Sequence, residues 1–425
     1  MILGAGLTGL STAWHLRSGY RLLERAGDVG GLCVTREDRG YRFDVTGHLL
    51  HLRDRGIRRW IESLLGGRLL RIDRRARIFS HGVHTRYPFQ ANTFGLPPRV
   101  ACECLLGFVR AWAARGRGPE PADFEGFILR HFGEGIARRF MIPYNRKIWG
   151  VHPREMSTAW TRRFVPKPDL EDVVAGAVGL DRPELGYNAE FLYPKLGIGE
   201  LPAAIHRTLE RKAETSVRVR SIDWRRRIVH AAGEAIPYRA LVSTIPLPTL
   251  VSLLADPPAR VRAAASGLRH VGLRYLDVAM ERAPGNDFHW TYVPERRFPF
   301  YRVGAYSNFS AALAPRGAGS LYVEMTSRAP APAARLAGRA IPGLIEMGLL
   351  RRASDVRFVR ARWIPHAYVV YDHRWERAVG MLHPFLEENG IFSRGRYGRW
   401  EYSSMEDALL AGREAAARTM EAIDR

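Results

Sequence analysis

Three glycines at the start of the chain, Gly4, Gly6 and Gly9, constrain its fold more than any other feature. They fit G-x-G-x-x-G between a short apolar run, Met1–Leu3, and a helix-periodic run, Leu7–Arg17, and a second strand-like run follows at Tyr20–Glu24. Strand, glycine turn, helix and strand make one βαβ unit, and such units build parallel sheets. The first glycine permits the tight bend, the second lets a pyrophosphate approach the backbone, and the third lets helix and strand pack closely. The helix N-terminus, at Leu7 and Thr8, adds unpaired N–H groups and a favourable dipole. Glu24 lies 20 residues after Gly4, where an acid accepts hydrogen bonds from a ribose diol. The joint spacing predicts a dinucleotide site, although Met1–Leu3 leaves its first strand shorter than the usual length of roughly five or six residues.

Length and charge narrow the rest. At 425 residues the chain exceeds one compact core, so two domains or one elaborated domain are expected. The net charge of +22 resembles a nucleic-acid signal, but four of the 65 basic residues are Lys and the rest are Arg scattered through every segment. A polynucleotide binder clusters its basic groups, so no nucleic-acid partner is expected, and the arginine content fits an anionic small-molecule substrate. Cys33, Cys102 and Cys104 make no disulfide framework and lack metal-ligand spacing with histidines. No signal-peptide pattern precedes the first strand, and no uncharged run reaches about 18 residues. A cytoplasmic protein with no metal and no transmembrane segment is expected.

Further along, Ala101–Ala114, Phe124–Phe140 and Leu201–Lys212 read as amphipathic helices, and residues 30–55 as short strands and turns. Strands are expected at Val217–Ile222, Arg227–Ala231, Ala240–Thr244, Val271–Met280, Ser320–Thr326 and Gly390–Phe392. A closing helix is expected from Met405 to Ile423, and Ala329–Arg339 reads as an Ala/Pro/Arg linker. No Ser/His/Asp or paired-carboxylate signature is visible.

Asp28-Val29-Gly30-Gly31-Leu32-Cys33 sets a glycine pair just after the acidic residue, which a nicotinamide site does not require. The segment resembles the "E…GG" run along the FAD in the flavoproteins that include amine oxidases, protoporphyrinogen oxidase and UDP-galactopyranose mutase. Gly47-His48-Leu49-Leu50-His51 is similar to the mutase segment G-P-H-I-F-H, and Val217–Ser221 with Ala240–Pro246 to the family's second FAD strand pair. Gly395-Arg396-Tyr397-Gly398 with Tyr402–Asp407 resembles the C-terminal G-R-x-G…Y-x-x-M-D, Glu406 standing where the mutases carry Asp. The resemblance implies that FAD meets Gly4, Gly6, Leu7, Thr8, Gly9, Glu24, Arg25, Gly30, Gly31, Leu32, Gly47, His48, Val219, Thr244, Gly395, Arg396, Ser404 and Met405.

The substrate side is similar to the mutases at fewer positions. Tyr144-Asn145-Arg146-Lys147-Ile148-Trp149-Gly150 resembles G-Y-T-I-K-Q-W-G, and Phe191–Leu201 a P-K-x-G segment. Arg302 echoes a T-R-I strand and Arg328 closes a stretch like Y-K-E-Y-S-R-A; a guanidinium suits phosphate because its donors form a fixed fork. Lys167 falls where a second diphosphate Arg is expected, and Trp400 replaces a Tyr near the diphosphate. The resemblance thus implies substrate contacts at Tyr144, Trp149, Lys167, Tyr187, Arg302, Arg328, Tyr368 and Trp400, with His48, Arg302 and Arg328 as the catalytic set.

The fold implied is α/β, a Rossmann-like FAD-binding domain with a discontinuous second domain of helical cap and antiparallel sheet. Its segments are expected at 1–90, 195–255 and 376–425 for the flavin, 91–194 for the cap and 256–375 for the sheet. The activity implied is mutase-like, on a nucleoside-diphosphate sugar. Reduced flavin N5 would attack the anomeric carbon for pyranose/furanose interconversion, with NAD(P)H or another reductant as electron donor. The alternative is an FAD-dependent oxidase or dehydrogenase of the amine oxidase or protoporphyrinogen oxidase type, favoured by Ser307-Asn308-Phe309 and Gly395–Tyr402.

Overall fold

The computed structural model describes residues 1–116, 118–180 and 189–424, apart from the side chains of residues 162 and 163. Tyr187 lies outside the described residues. A four-stranded parallel sheet, in the order Ile391–Ser393, Leu241–Ser243, Ile2–Leu3, Leu22–Leu23, gathers its strands from the two ends and the middle of the chain. The two N-terminal strands shorten to two residues each, yet Leu3 and Leu23 still pair and bury against the core. Helices Leu7–Leu16, Arg55–Leu65, Glu200–Thr208 and Met405–Asp424 cover one side through Leu10, Ile57, Ile61, Leu201 and Leu409. On the other side, Leu247–Leu253, Ala259–Ser266 and Trp375–Glu388 pack with the antiparallel strands Val219–Asp223, Ile228–Ala231 and Glu234–Pro237.

A second, seven-stranded sheet runs in the order Val356–Val369, His270–Met280, Gly319–Ser327, Arg302–Ala305, Trp290–Tyr292, Ala76–Ser80, Val83–Arg86. Its neighbouring strands run antiparallel except that Trp290–Tyr292 pairs parallel to Ala76–Ser80. The sheet therefore takes in residues 76–86, which the sequence-level division assigned to the first flavin segment. Alternation sorts its faces: Leu276, Val278 and Met280 bury against helix Ala333–Glu346, while Ala279 joins Tyr41 and Phe43 of the hairpin Thr35–Asp38/Tyr41–Asp44.

Three element expectations change. The helix predicted over Phe124–Phe140 breaks at a kink at Gly133, continues to Ile136, passes through a π turn at Ala137–Met141, and restarts as Ile142–Trp149. Gly133, at φ +73°, and Gly135 press on the backbone of Gly107, Glu103 and Cys104 in helix Pro98–Ala113, so the kink is where two helices touch without side chains between them. The predicted linker Ala329–Arg339 instead begins a helix, Ala333–Glu346, entered from Pro332; its alanines and arginines are good helix formers. Leu201–Lys212 ends earlier, at Thr208. Among the described residues no helix is long and apolar enough to cross a membrane, and no group of three or more His, Cys, Asp or Glu could hold a metal ion.

Candidate flavin and substrate site

Four segments meet at the N-terminus of helix Leu7–Leu16. Gly4, at φ +93°, turns the chain where a side chain would strike Thr244, whose hydroxyl donates to Leu3 O (3.0 Å) and Gly4 O (3.2 Å). A Cβ on Gly9 would overlap Gly4 O, so the third glycine is required by packing alone. Gly6 bridges Gly30, and a Cβ at Gly6 would find only Gly31 Cα, at 4.0 Å. The two segments thus wall an open slot at the helix end. Gly395, at φ +77°, packs on Thr8 and brings Arg396 with it. No side chain caps the helix N-terminus, leaving its N–H groups for a ligand.

Glu24 directly follows the second strand and accepts from Ala5 N and Ala26 N, each at 2.8 Å, so its carboxylate is held beside the turn. Leu32 is half-buried and Arg25 exposed. Val219 is half-buried; it is Ser216 and Val217 that hydrogen-bond to Ala26 O and Glu24 O. Ser404 opens the C-terminal helix with a reciprocal cap: its hydroxyl accepts from Asp407 N at 3.2 Å, and the Asp407 carboxylate accepts from Ser404 N at 2.7 Å. Buried Glu406 accepts from Asp54 N at 2.7 Å, a structural tie between that helix and the Asp54 cap of helix Arg55–Leu65. The slot, the uncapped N–H groups and the acid on the adjacent strand fit an FAD.

A cluster of tyrosines lies near His48 and Arg302. Its centre is Arg302, whose Nε and Nη2 donate to the two carboxylate oxygens of Glu324 at 2.8 and 2.7 Å, in register across adjacent strands. Glu324 has no exposed surface, and a fifth of the Arg302 side chain remains exposed. Burial works against the Arg302 cation, but Glu324 and the nearby tyrosines more than offset it and raise its pKa. Tyr144, Tyr292, Tyr301, Tyr322, Tyr368 and Tyr402 surround this pair directly or through one another. Tyr144 also ends a parallel stack, 5.3 Å from Phe140, which is 4.8 Å from Phe89.

His48 follows Thr46, at φ +61°, and Gly47, which lies against the Tyr322 hydroxyl. Burial pushes its imidazole down to about 4, and the Arg396 and Arg302 cations push the same way against the Val45 carbonyl. His48 is therefore neutral at neutral pH, with its Nδ1 buried and without a partner. Arg396 donates to Ser403 O (2.8 Å) and Ala367 O (3.1 Å), with its guanidinium 4.7 Å from the Tyr402 ring.

The structure thus brings His48, Arg302, Arg396, Tyr144, Trp149 and Tyr368 together. Trp149 donates to Asn145 (3.0 Å) and sits 5.6 Å from Tyr368. The Lys167 ammonium lies 3.2 Å from His131 Nε2 and 4.7 Å from the Phe127 ring. Arg328 is exposed just past strand Gly319–Ser327, with no ion-pair partner among the described residues. Trp400 corrects the reading of it as a substrate contact. It has no exposed surface, and from a backbone at φ +57° its indole joins the core cluster that holds Leu382, Leu386 and Ile391, where a ligand could not touch it.

Tyr402, two residues after Trp400, is the aromatic that reaches the cluster, 6.2 Å from the Trp149 ring and 6.0 Å from that of Tyr368. Tyr292, Tyr301, Tyr322 and Glu324 join it; Tyr322 and Glu324 stand at the Y and E of the Y-K-E-Y-S-R-A likeness, in which Arg328 alone is read as a substrate contact. The alternation that sets Tyr322 and Glu324 on one face of their strand is a second signal for them.

The profile of the flavin-containing amine oxidoreductase family matches residues 7–420. Among solved structures, a reduced UDP-galactopyranose mutase superposes with a TM-score of 0.93 at 28% identity, over 99% of this chain and 95% of that one. An Exiguobacterium protein described as a protoporphyrinogen oxidase gives 0.74 at 17%, over 100% and 98%. Putrescine oxidase bound to putrescine gives 0.66 at 17%, over 99% and 98%. At those identities the two oxidases share the fold.

Proposed function

Because the chain belongs to the flavin-containing amine oxidoreductase family and is a flavoenzyme with FAD as its cofactor, we propose that it is a mutase-like enzyme interconverting the pyranose and furanose rings of a nucleoside-diphosphate sugar. The observation that carries this reading is the set of six tyrosines around the Arg302–Glu324 pair. Phenols offer both donors and acceptors to sugar hydroxyls and phosphate oxygens, and their rings offer flat apolar faces. The likeness to a UDP-galactopyranose mutase over almost the whole chain supports the same substrate class.

In this reading the Gly4–Gly9 turn receives the FAD pyrophosphate, Glu24 the ribose, and Gly30–Gly31, Thr244, Gly395–Arg396 and Ser404–Met405 line the rest of the cofactor. Reduced flavin, when bound, supplies the nucleophilic nitrogen that such a rearrangement requires. The chain's own groups bind and orient. Tyr144, at the end of the Phe89–Phe140 stack, offers its ring to the base, and neutral His48 offers an uncharged hydrogen-bonding edge beside two cations. Arg302 spends two nitrogens on Glu324, so it orients the cluster more than it grips phosphate, and that task passes to exposed Arg328.

Calorimetry with UDP and UDP-galactose, and chromatography of the sugar nucleotide after incubation with oxidised and photoreduced protein, test the proposal. Binding, with ring interconversion by the reduced form alone, is expected. If no nucleoside diphosphate binds and an amine instead bleaches the oxidised flavin, the oxidase alternative replaces it.

A further inference from the structure

The buried carboxylate of Asp44 has no place in the chemistry above, yet four segments converge on it. Asp44 ends the strand Tyr41–Asp44 and stands four residues before His48. Its side chain accepts from Thr35 Oγ1 at 2.6 Å, from Tyr193 Oη at 2.6 Å and from Ile198 N at 3.1 Å. Its backbone carbonyl accepts from Tyr306 Oη, also at 2.6 Å. Thr35 relays the contact, since its oxygen accepts from Gly199 N at 2.8 Å. Gly197, at φ +111°, has no room for a side chain against Thr35 and Asp44. The carboxylate thus joins the hairpin, the end of strand Glu190–Pro194 and the turn at residues 197–199, while the backbone carbonyl of Asp44 reaches Tyr306 and, through it, Asp277 of the large sheet.

Among the described residues no lysine or arginine forms an ion pair with Asp44, which is 1% exposed. Three donors converge on an anion that burial disfavours, and such an arrangement ties geometry to ionisation. The titratable groups facing it are the Tyr193 and Tyr306 phenols and the Cys33 thiol, with the Arg396 cation reaching the cluster through Cys33. Burial raises both phenols well above their ordinary value and pushes the thiol up to about 12, so none of these titrates between about pH 5 and 8. One step farther out, Asp277 accepts from the Tyr306 phenol at 3.3 Å, and burial pushes its carboxyl up to about 7 against the pull of Arg362.

We infer that Asp44 is a positioning residue for the segment Val45–His48, its ionised carboxylate setting where His48 stands between Arg302 and Arg396. The relevance to catalysis rests on the reading that Gly47–His48 borders the flavin. Asp44 touches no reacting atom; it acts by holding the strand end from which Thr46 and Gly47 turn. Burial of its carboxyl pushes it up to about 6, against the Thr35, Tyr193 and Ile198 donors. The switch therefore falls in a range where His48 itself, at about 4, stays neutral.

The test uses protein labelled with carbon-13 at the histidine ring Cε1 position. The His48 signal is identified by its loss in His48→Gln, and is followed from pH 5 to 8 with and without added FAD. In wild type it should shift with a midpoint near 6, and in Asp44→Asn that step should vanish. Thr35→Val and Tyr193→Phe each remove one donor to the anion and should move the midpoint up by about one to two pH units; they serve if Asp44→Asn does not fold. A His48 signal with the same pH profile in wild type and in these variants overturns the inference and assigns any step to Asp277. Flavin retention is measured on the same samples: wild type that takes up no FAD fails the flavin reading, whereas a changed His48 profile in that protein still upholds the positioning role.

Discussion

Cutting the Arg302–Glu324 pair should cost more stability than removing it whole. Glu324 has no exposed surface and receives both Arg302 bonds, so Glu324→Gln leaves a mostly buried cation facing a neutral amide. Breaking a buried pair from one side costs about 3–5 kcal/mol. The fifth of the Arg302 side chain still in solvent lets water recover part of this, which favours the lower end, about 3 kcal/mol. Arg302→Met strands the acid, which must either stay charged without a partner or take a proton at a similar cost. Arg302→Met with Glu324→Leu leaves no charge to desolvate and should fall within about 1 kcal/mol of wild type. The two singles should therefore exceed the double mutant by several kcal/mol, far outside the few tenths expected of independent sites. Urea unfolding of wild type, Glu324→Gln, Arg302→Met, Glu324→Leu and the double mutant, at one fixed FAD concentration because bound ligand adds to apparent stability, measures these costs and closes the cycle. Additive singles, or a Glu324→Gln cost below about 1 kcal/mol, would refute the reasoning and return Arg302 to substrate binding.

Three further outcomes are expected. Gly9→Ala should lower the flavin-to-protein absorbance ratio of purified protein, because its Cβ overlaps Gly4 O and pushes the helix from the turn; full flavin loading would contradict the cradle assignment. Arg328→Ala should weaken UDP-sugar binding in calorimetry about tenfold, the low end for a charge-assisted bond at an exposed residue, with FAD content unchanged; equal affinity would remove Arg328 from the site. Asp44, held up at about 6 from an ordinary 3.8, binds its proton more tightly in the folded state. Its stabilising contribution is complete below pH 3.8 and is lost as pH rises through about 6. Relative to Asp44→Asn, wild type should lose roughly 3 kcal/mol between those limits, and parallel stability curves over that range would count against a buried titrating carboxylate.

What could be read from the sequence and what could not divides along the range of the forces involved. The turn at Gly4, Gly6 and Gly9 was legible because its sterics act within a few residues, and Glu24 because a strand of known rise delivers it beside the turn. Thr244 and Gly395 lie far along the chain, and only their resemblance to known flavin segments brought them to the same slot. The tyrosine cluster was less legible because strand register makes it. Arg302 meets Glu324 only since Arg302–Ala305 pairs antiparallel with Gly319–Ser327 in that register; one residue of slip would turn Glu324 to the opposite face. Residue type and segment likeness therefore marked Arg302 as a phosphate ligand, while its partner's position assigns it an internal carboxylate. Trp400 stands at a left-handed backbone angle that residue type does not announce and is wholly buried, while Tyr402, two residues on, stacks with Tyr368. Lys167 meets His131 and the Phe127 ring, neighbours from a distant helix that its own segment does not announce. A site assembled from adjacent strands and a separate cap is thus read from sequence only as far as each segment carries its own geometry, and the flavin turn carries far more of it than the tyrosine cluster.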